Sequence, residues 1–207
     1  MTQHPALPLL PLLSLAACRN VAPEPPAPPA QASAPATRAA AVPGVNPHAA
    51  PQTGTLRWTD PASWRRGSPS SAMRKAQYVV PGPDGEGELT VFWFGAGMGG
   101  SIENNLSRWY GQFAQPDGRP SASVATRETR TVRGLNVTIT RVQGRFAGGG
   151  MGMPGSAPEP ARDNYALLAA IVETPNGPWF FKLTGPRSTL AGAAPAFDDL
   201  VASFDFR

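Results

Sequence analysis

Residues 21–51 limit the fold more than any other feature of the sequence, because they cannot contribute to a packed core. The segment reads VAPEPPAPPAQASAPATRAAAVPGVNPHAAP, which is mostly Ala and Pro and contains no Phe, Trp or Tyr. Such a segment buries too little apolar surface to offset the conformational entropy lost on ordering. We therefore expect a disordered, extended linker over residues 18–54, partly polyproline II in character, and a single globular domain over residues 55–207.

The first 17 residues are predicted to be a lipoprotein signal peptide. Their apolar run from Ala6 to Ala17 is too short to span a bilayer and is interrupted by prolines, as a secretory signal core can be. The run ends in LAAC, residues 15–18, which resembles the bacterial lipobox, where the cysteine is acylated after cleavage just before it. Cys18 is the only cysteine of the chain, so it cannot form an internal disulfide. We predict lipid attachment at Cys18, with a structural or incidental cysteine as the alternative.

Two flanking features bear on the location of the protein. The opening MTQHP contains no Lys or Arg, so either the true start lies upstream or the signal is atypical. Arg19 stands where an inner-membrane retention signal usually has Asp, so the resemblance to lipoproteins implies the outer membrane of a bacterial cell envelope, on its periplasmic face or at the surface. Acyl chains contribute ~0.8 kcal/mol per buried methylene group, so several chains would hold the protein at the membrane.

The charge of the chain is positive but dispersed. The formal net charge is +4, and almost all basic residues are arginines spread along the domain without a dense run. Weak attraction to anionic lipid or polysaccharide fits this distribution. A nucleic-acid partner is not expected for a protein outside the cytoplasm.

A hairpin and a helix are predicted in the first half of the domain. Asp84-Gly85 is a strong turn signal between two strands, RKAQYVV and ELTVFWF, residues 74–80 and 88–94. The second strand is apolar on both faces, so we expect a central position in a sheet covered on both sides. Ser101 is predicted to cap a helix that ends by residues 116–118, with apolar side chains at helical spacing at Ile102, Leu106, Trp109, Tyr110 and Phe113.

The second half is predicted to contain three strands and a helix. A strand entered through a turn at Gly134 alternates apolar and polar residues, so we expect it to be half exposed. Residues 163–173 could be helix or strand, and the Asn176-Gly177 turn into WFFKLTG favours a strand hairpin. The last helix shows an apolar stripe at Phe197, Leu200, Val201 and Phe204, with Pro195 expected in its first turn because an interior proline costs ~3 kcal/mol.

This order of elements predicts an α+β fold, a single antiparallel β-sheet flanked by helices. LRWTDPASW, NNLSRWYGQF, VRGLNVTITRVQGRF and PWFFKLTGPRSTLAGAAPAFDDLVASF together resemble a family of bacterial lipoproteins of uncharacterised function. More distantly they resemble the fold shared by photosystem II PsbP proteins and the Ran-binding Mog proteins. The resemblance covers most of residues 55–207. It implies a sandwich-like fold and a binding or assembly role, and no binding residue carries over, because the shared motifs concern packing.

The predicted domain lacks the residues that the commonest catalytic and metal sites require. Both histidines, His4 and His48, precede it, and so does the cysteine. Serine and cysteine nucleophile systems that need histidine are therefore excluded there, as are His or Cys zinc sites. We expect no catalytic residue, no metal and no cofactor. Lysine chemistry stays formally open at Lys182, which we expect on the solvent side or at a sheet edge.

Carboxylate pairs could still perform acid and base catalysis without histidine. The sequence offers three such pairs: Glu86 with Glu88, Asp163 with Glu173, and Asp198 with Asp199. The first pair belongs to a predicted turn and the last to a predicted helix start, so each has a structural role that suffices. A carboxylate-dependent hydrolase acting on a cell-wall polymer is therefore an alternative function rather than the leading one.

Two glycine-rich segments require interpretation. Gly95, Gly97 and Gly100 satisfy the spacing of a dinucleotide-binding fingerprint, but that motif requires a parallel β-α-β unit, and the strand before it belongs to a predicted antiparallel hairpin. We expect these glycines to form a sharp joint between strand and helix. Residues 147–162 are predicted to be a flexible surface loop, whose Met151 and Met153 could contact copper or a hydrophobic partner.

The leading functional expectation is a non-catalytic, lipid-anchored envelope protein whose domain binds or positions another envelope protein or polymer. The chain has five tryptophans, more than the packing of a small α+β domain requires. We predict Trp58, Trp64 and Trp179 as partner-binding aromatics. A small-ligand carrier is a further alternative, and it would require an enclosed apolar cavity between the sheet and one helix.

Overall fold

The computed structural model describes residues 54–71, 73–147 and 160–207. The predicted signal peptide, Cys18, most of the linker, and the loop positions Met151 and Met153 lie outside these residues. Within the described ranges, no helix is both long enough and apolar enough to cross a membrane.

Ten strands and three helices are found in the described residues. In chain order they are β1 Leu56–Arg57, β2 Arg65–Gly67, β3 Arg74–Val80, β4 Gly87–Trp93, α1 Ile102–Tyr110, β5 Phe113–Ala114, α2 Ser121–Val124, β6 Thr126–Val132, β7 Leu135–Phe146, β8 Arg162–Glu173, β9 Trp179–Pro186, α3 Arg187–Ala202 and β10 Asp205–Phe206.

Eight of these strands form one antiparallel sheet in the order β2-β3-β4-β9-β8-β7-β5, with β6 also paired to β7. The predicted α+β class is confirmed, but the prediction of a single sheet is wrong. β1 and β10 form a separate two-stranded sheet, because Leu56 pairs with Phe206 and the backbone N–H of Thr55 donates to the carbonyl of Arg207 at 2.9 Å. The two ends of the domain are thus fastened to each other rather than to the large sheet.

The large sheet is covered by a helix on each face. Successive strand residues point to opposite faces, so each strand supplies both layers. α3 covers one face, where Tyr78, Phe181, Phe197 and Phe204 are fully buried at 0% exposure. α1 covers part of the other face, where its apolar side chains pack against β7, β8 and β9. β4 pairs with β3 on one side and with β9 on the other, so it is an interior strand of the sheet, as predicted.

The turn residues in the sequence correctly predicted two hairpins. β3 and β4 are joined through Asp84-Gly85, and β8 and β9 through Asn176-Gly177. Gly177 has a φ of +107°, a backbone conformation that favours glycine. Residues 163–173 lie within β8, so the strand interpretation of this segment is confirmed.

The predicted ends of both long helices are wrong. α1 ends at Tyr110 with Gly111 as its C-cap, and Phe113 lies in β5, where it pairs with Phe146. α3 begins at Arg187, so Pro195 lies inside the helix rather than in its first turn. Pro195 and Ala191, whose carbonyl loses its helical donor, are both exposed, so water can satisfy that carbonyl.

β7 is enclosed rather than half exposed. It follows a turn at Gly134, which has a φ of +81°, as predicted. Thr138 and Thr140 are buried at 4% and 1% exposure, because the layer that includes α1 covers this face. The Thr140 hydroxyl forms a hydrogen bond of 2.6 Å with the Tyr110 hydroxyl and donates to the carbonyl of Thr126 at 2.7 Å. These bonds explain how polar side chains are accommodated under a helix.

Candidate binding surface

The three tryptophans predicted to bind a partner contribute to the core. Trp64 and Trp179 are 8% and 5% exposed, and Trp58 is half buried. The Trp58 ring makes an edge contact with Phe181 at 5.1 Å, and its Nε1 donates to the Tyr78 hydroxyl at 2.9 Å. Trp64 and Trp179 are therefore largely covered, because their rings belong to the core cluster that includes the buried side chains of α3. Partner binding through them stays a prediction.

The exposed large apolar side chains lie elsewhere. Among the described residues these are Met73, Phe94 and Met98, which are 59%, 37% and 61% exposed. The antiparallel register pairs Arg74 with Phe92, so Met73, just before β3, and Phe94, just after β4, lie at the same end of the sheet. Met98 follows in the glycine-rich loop. We call Met73, Phe94 and Met98 the apolar surface, because exposed apolar groups that occur near one another can mark interaction sites.

Ring stacking and the adjoining loop hold Phe94 in place. Its ring stacks on Phe92, with centroids 6.1 Å apart and an angle of 8° between the planes, and contacts Phe180 at 5.8 Å. Gly99 has a φ of +93° and packs so closely that a Cβ atom there would lie 2.8 Å from the Phe180 ring. The loop is thus pinned to the aromatic layer, and one side of Phe94 faces solvent.

Basic side chains border the apolar surface. The Arg74 guanidinium lies 5.7 Å from the centroid of the Phe92 ring, and the Lys75 ammonium lies 5.3 Å from that of Trp93. Both are cation–π arrangements. Arg74 also pairs with Glu88 at 3.1 Å. An occupant of the apolar surface would therefore meet positive charge at its border.

Lys182 lies in the middle of the sheet, not at an edge or on the solvent side as the sequence suggested. β9 is central, and Lys182 is partly buried between Thr90 of β4 and Ala169 of β8. Its Nζ donates to Gln112 Oε1 at 2.6 Å and lies 6.0 Å from the Phe146 ring centroid. Burial lowers the pKa of Lys182 to about 8, assisted by repulsion from Arg108 and Arg74 and opposed by Glu88.

The glycine fingerprint does not meet the conditions of a dinucleotide site. β4, which precedes it, is antiparallel to both of its neighbours. Ser101 Oγ accepts from the backbone N–H of Asn104 at 3.2 Å, so it occupies the helix N-terminus that would otherwise bind a phosphate. The prediction of a sharp joint between strand and helix is confirmed: Gly95 and Gly100, at its two ends, both have positive φ values.

Arginines engage the three candidate carboxylate pairs. Glu86 pairs with Arg65 and Glu88 with Arg74, while Asp163 pairs with Arg145. Asp198 lies 3.3 Å from Arg141 and 3.5 Å from Arg130.

The members of one of these pairs lie far apart. Asp163 and Glu173 stand at opposite ends of β8, ten residues and roughly 33 Å apart. No group of three or more potential metal ligands occurs among the described residues.

Two clefts open to solvent lie away from the apolar surface. One, of about 460 Å³, lies between α1 and α2 and is lined in part by Leu106, Tyr110 and Arg119. The other, of about 610 Å³, lies where β5, β7 and β8 meet, and Arg145 and Asp163 contribute to its wall. Arg119 is paired with Asp117, and Arg145 with Asp163, so these charged side chains already have partners.

Sequence reasoning missed Met73, Phe94 and Met98 as candidate functional residues. It placed Phe94 on a covered face of β4, as strand alternation implied. The available signal was the glycine cluster directly after Phe94, because glycines carry no side chains that could cover a neighbouring aromatic ring. Residues at the end of a strand that runs into such a loop are the ones left exposed.

Comparison with known proteins gives no family for this chain. No protein-family model matches it, and no curated protein matches it. Among solved structures, a crystal structure of a protein of unknown function from Pseudomonas aeruginosa is similar, with a TM-score of 0.40 and 15% sequence identity. The similarity covers 61% of this chain and 78% of that one.

Proposed function

We propose that this chain is a non-catalytic, lipid-anchored protein of the bacterial cell envelope, whose folded domain binds another envelope component through the apolar surface. One observation carries the binding role. The exposed large apolar side chains of the described residues, Met73, Phe94 and Met98, all lie near one end of β3 and β4. Scattered exposed apolar residues need no explanation, whereas a group of them is a feature of interaction sites.

The sequence supports the anchoring role. The LAAC motif supplies the acylated residue, Cys18, and residues 18–54 supply an extended linker. At about 3.1 Å per residue in polyproline II, a linker of this length reaches on the order of 100 Å. The domain could therefore bind its component well away from the membrane surface that holds the anchor.

Position-resolved photocrosslinking in cells tests the proposed binding. A photoreactive residue replaces Met98 in the full chain. A matched chain carries this residue at Thr131, an exposed position in β6 at the opposite edge of the sheet from β3. We expect an adduct with an envelope component, whether protein, polymer or lipid, from position 98 and not from position 131. Equal labelling from both positions, or none from position 98, would count against the proposed surface.

The same cells test the anchor. Labelled fatty acid is expected in the wild-type chain and not in the Cys18→Ala chain, because that thiol is the proposed acylation site. Label that persists in Cys18→Ala would exclude the assignment. Loss of label with retention of the position-98 adduct would separate binding by the domain from anchoring by the lipid.

A further inference from the structure

Two positive side chains beside the apolar surface lack a negative partner. Arg108 donates to Asn105 Oδ1 at 2.6 Å, and Lys182 donates to Gln112 Oε1 at 2.6 Å. Both acceptors are neutral amides, and neither cation forms an ion pair among the described residues. Other arginines of the domain, such as Arg141 and Arg127, have a carboxylate partner. Positive charges that converge without such a partner indicate a site for an anion.

One side of α1 brings these two cations together. Asn105, Arg108 and Gln112 follow one another at spacings of three and four residues, which places them on one face of the helix and its last turn. Asn105 fixes the start of this row, because its Nδ2 donates to the carbonyls of Gly99 and Ser101 at 2.8 and 2.9 Å. Gln112 fixes the other end through its bond to Lys182. The row therefore runs from the glycine-rich loop to the ammonium group.

We call the part of the sheet face between this row and β3 the groove; it includes Lys182, the buried Thr90 and the partly buried Phe92. α1 packs on β7, β8 and β9, and β3 contributes no side chain to the core beneath it. Glu88 is exposed and Phe92 only partly buried, although both lie on the face that α1 covers elsewhere. Lys182 and Thr90 lie side by side at the base of this groove. Phe94 of the apolar surface stands four residues along β4 from Thr90, roughly 13 Å away.

We propose that this groove binds an anionic phospholipid, with the headgroup phosphate at Lys182 and Arg108 and the upper acyl chain on Phe94 and Met98. The inference rests on the proposed function, since it uses the same apolar surface and specifies the chemical class of the bound component. An amphipathic anion matches a groove that is cationic at one end and apolar at the other, at a separation of roughly 13 Å. A purely apolar occupant would leave both cations unpaired, and a small anion would leave the apolar surface bare.

The electrostatics of Lys182 agree with this assignment. Burial lowers the pKa of Lys182 to about 8, and repulsion from Arg108 and Arg74 adds to this effect while Glu88 opposes it. At neutral pH most of the population is still protonated and can donate to a phosphate. A bound anion would offset the repulsion between the cations, and Arg108 and Lys182 would supply charge-assisted hydrogen bonds to it.

Vesicle binding tests the proposal. The full chain carries Cys18→Ala throughout, so that no acyl anchor brings it to the membrane. We expect binding to phosphatidylcholine vesicles that contain phosphatidylglycerol and little binding to phosphatidylcholine alone. Lys182→Gln and Arg108→Gln should each lower the affinity by at least about tenfold. Lys182→Arg should retain most of the affinity, which also shows that the position tolerates substitution without loss of the fold.

Arg119→Gln is the matched control, because it removes the same charge from a loop residue that is already paired with Asp117. It should lower the affinity by less than about twofold. Equal losses in Arg119→Gln and Lys182→Gln would show general charge attraction and overturn the proposal, as would equal binding to both kinds of vesicle. Inorganic phosphate that binds at Lys182 without vesicle binding would identify a small-anion site and also overturn it.

The failure of this proposal can be distinguished from failure of the proposed function. A position-98 adduct with an envelope protein, together with no vesicle binding, would retain the binding role and exclude the lipid. Loss of the position-98 adduct and of vesicle binding together would exclude both.

Discussion

Tyr78 connects the first residues of the domain to the large sheet. Its ring is fully buried in β3, while its hydroxyl accepts from Trp58 Nε1 at 2.9 Å and donates to Asp60 Oδ1 at 2.5 Å. Burial raises the pKa of Tyr78 to about 12, with Asp60 adding to the effect. One hydroxyl thus satisfies two partners from the segment that leads from β1 to β2.

Removal of that hydroxyl should destabilise the domain. In Tyr78→Phe the Trp58 N–H and the Asp60 carboxylate lose their hydrogen bonds to the hydroxyl, although Asp60 keeps Arg66 at 2.8 Å. We expect the free energy of unfolding to fall by about 2 kcal/mol. Urea denaturation measures this change. Tyr165→Phe is the control, because Tyr165 is only partly buried and its hydroxyl accepts from the exposed Arg162 at 2.9 Å. A loss in Tyr78→Phe no larger than that in Tyr165→Phe would contradict the role assigned to Tyr78.

Residue-level features that depend on neighbours in sequence were predictable. The Ser101 cap, the Gly134 turn and the Asn176-Gly177 turn follow from local backbone chemistry, and the structure contains all three. The exposure of tryptophans was not predictable in the same way. The burial of Trp179, for example, involves contacts with Trp58 and Trp93, which are far away in sequence. Composition indicates that aromatic rings are available but not which of them the fold covers.

At the scale of elements, the charge of Lys182 is buried where β9 lies under the end of α1, and this burial lowers the stability of the folded protein. The charged groups that influence it are Arg108 from α1, Arg74 from β3 and Glu88 from β4. The folded protein releases the Lys182 proton near pH 8, whereas an unfolded lysine keeps its proton to about pH 10.5. Between pH 8 and pH 10.5 the unfolded state binds more protons than the folded state, so the free energy of unfolding rises with pH. Below pH 8 the full cost of burying the Lys182 charge is present.

Lys182→Met should remove this dependence. Wild-type protein should gain about 2 kcal/mol of unfolding free energy between pH 8 and pH 10, and the variant should gain none from this source while being more stable at pH 7. Urea denaturation between pH 8 and pH 10 isolates the effect of Lys182, because the stabilising contribution of Tyr78 declines only above about pH 10. Lys75→Met, at an exposed lysine, is the control and should keep the rise. A rise of equal size in Lys182→Met would show that another group causes it.

The types of most elements could be predicted, but several boundaries could not. The β3–β4 and β8–β9 hairpins carry both a turn signal and strand-forming residues, and both are present. β6 was not anticipated as a separate strand, because TRETRTV alternates threonine with charged residues and contains only one apolar residue. It forms because β7 offers a free edge and the Arg133-Gly134 turn directs the chain back along it. Such pairing depends on long-range geometry rather than on local pattern.

At the scale of the whole molecule, the domain has one face of its sheet covered by α3 and the opposite face covered only in part. α1 is nine residues long and its cluster includes residues of β7, β8 and β9 and Phe92 of β4, whereas no residue of β3 belongs to it. The proposed groove and the apolar surface both adjoin β3 and β4. The four residues from Thr90 to Phe94 place the cationic and apolar ends of the proposed site roughly 13 Å apart.

The sequence predicted the class of function proposed here but not the position of the site. A lipid anchor, a linker and a binding role all follow from LAAC, the Ala and Pro segment and the lack of histidine and cysteine in the domain. The site joins Met73, Phe94 and Met98 with Arg108 and Lys182, which belong to different elements. Only strand register and the placement of α1 bring them together, and neither can be read from local sequence.

The central claim is that the apolar surface binds an envelope component, and the most direct test measures binding of the unanchored full chain to isolated envelopes. With Cys18→Ala in every chain, Phe94→Ser combined with Met98→Ser should lower the bound fraction by about tenfold, because each serine removes apolar area that binding would bury. Thr131→Ser, on the far side of the sheet, should bind like the parent chain. Equal binding by the Phe94→Ser, Met98→Ser chain and its parent, with both folded, would contradict the account.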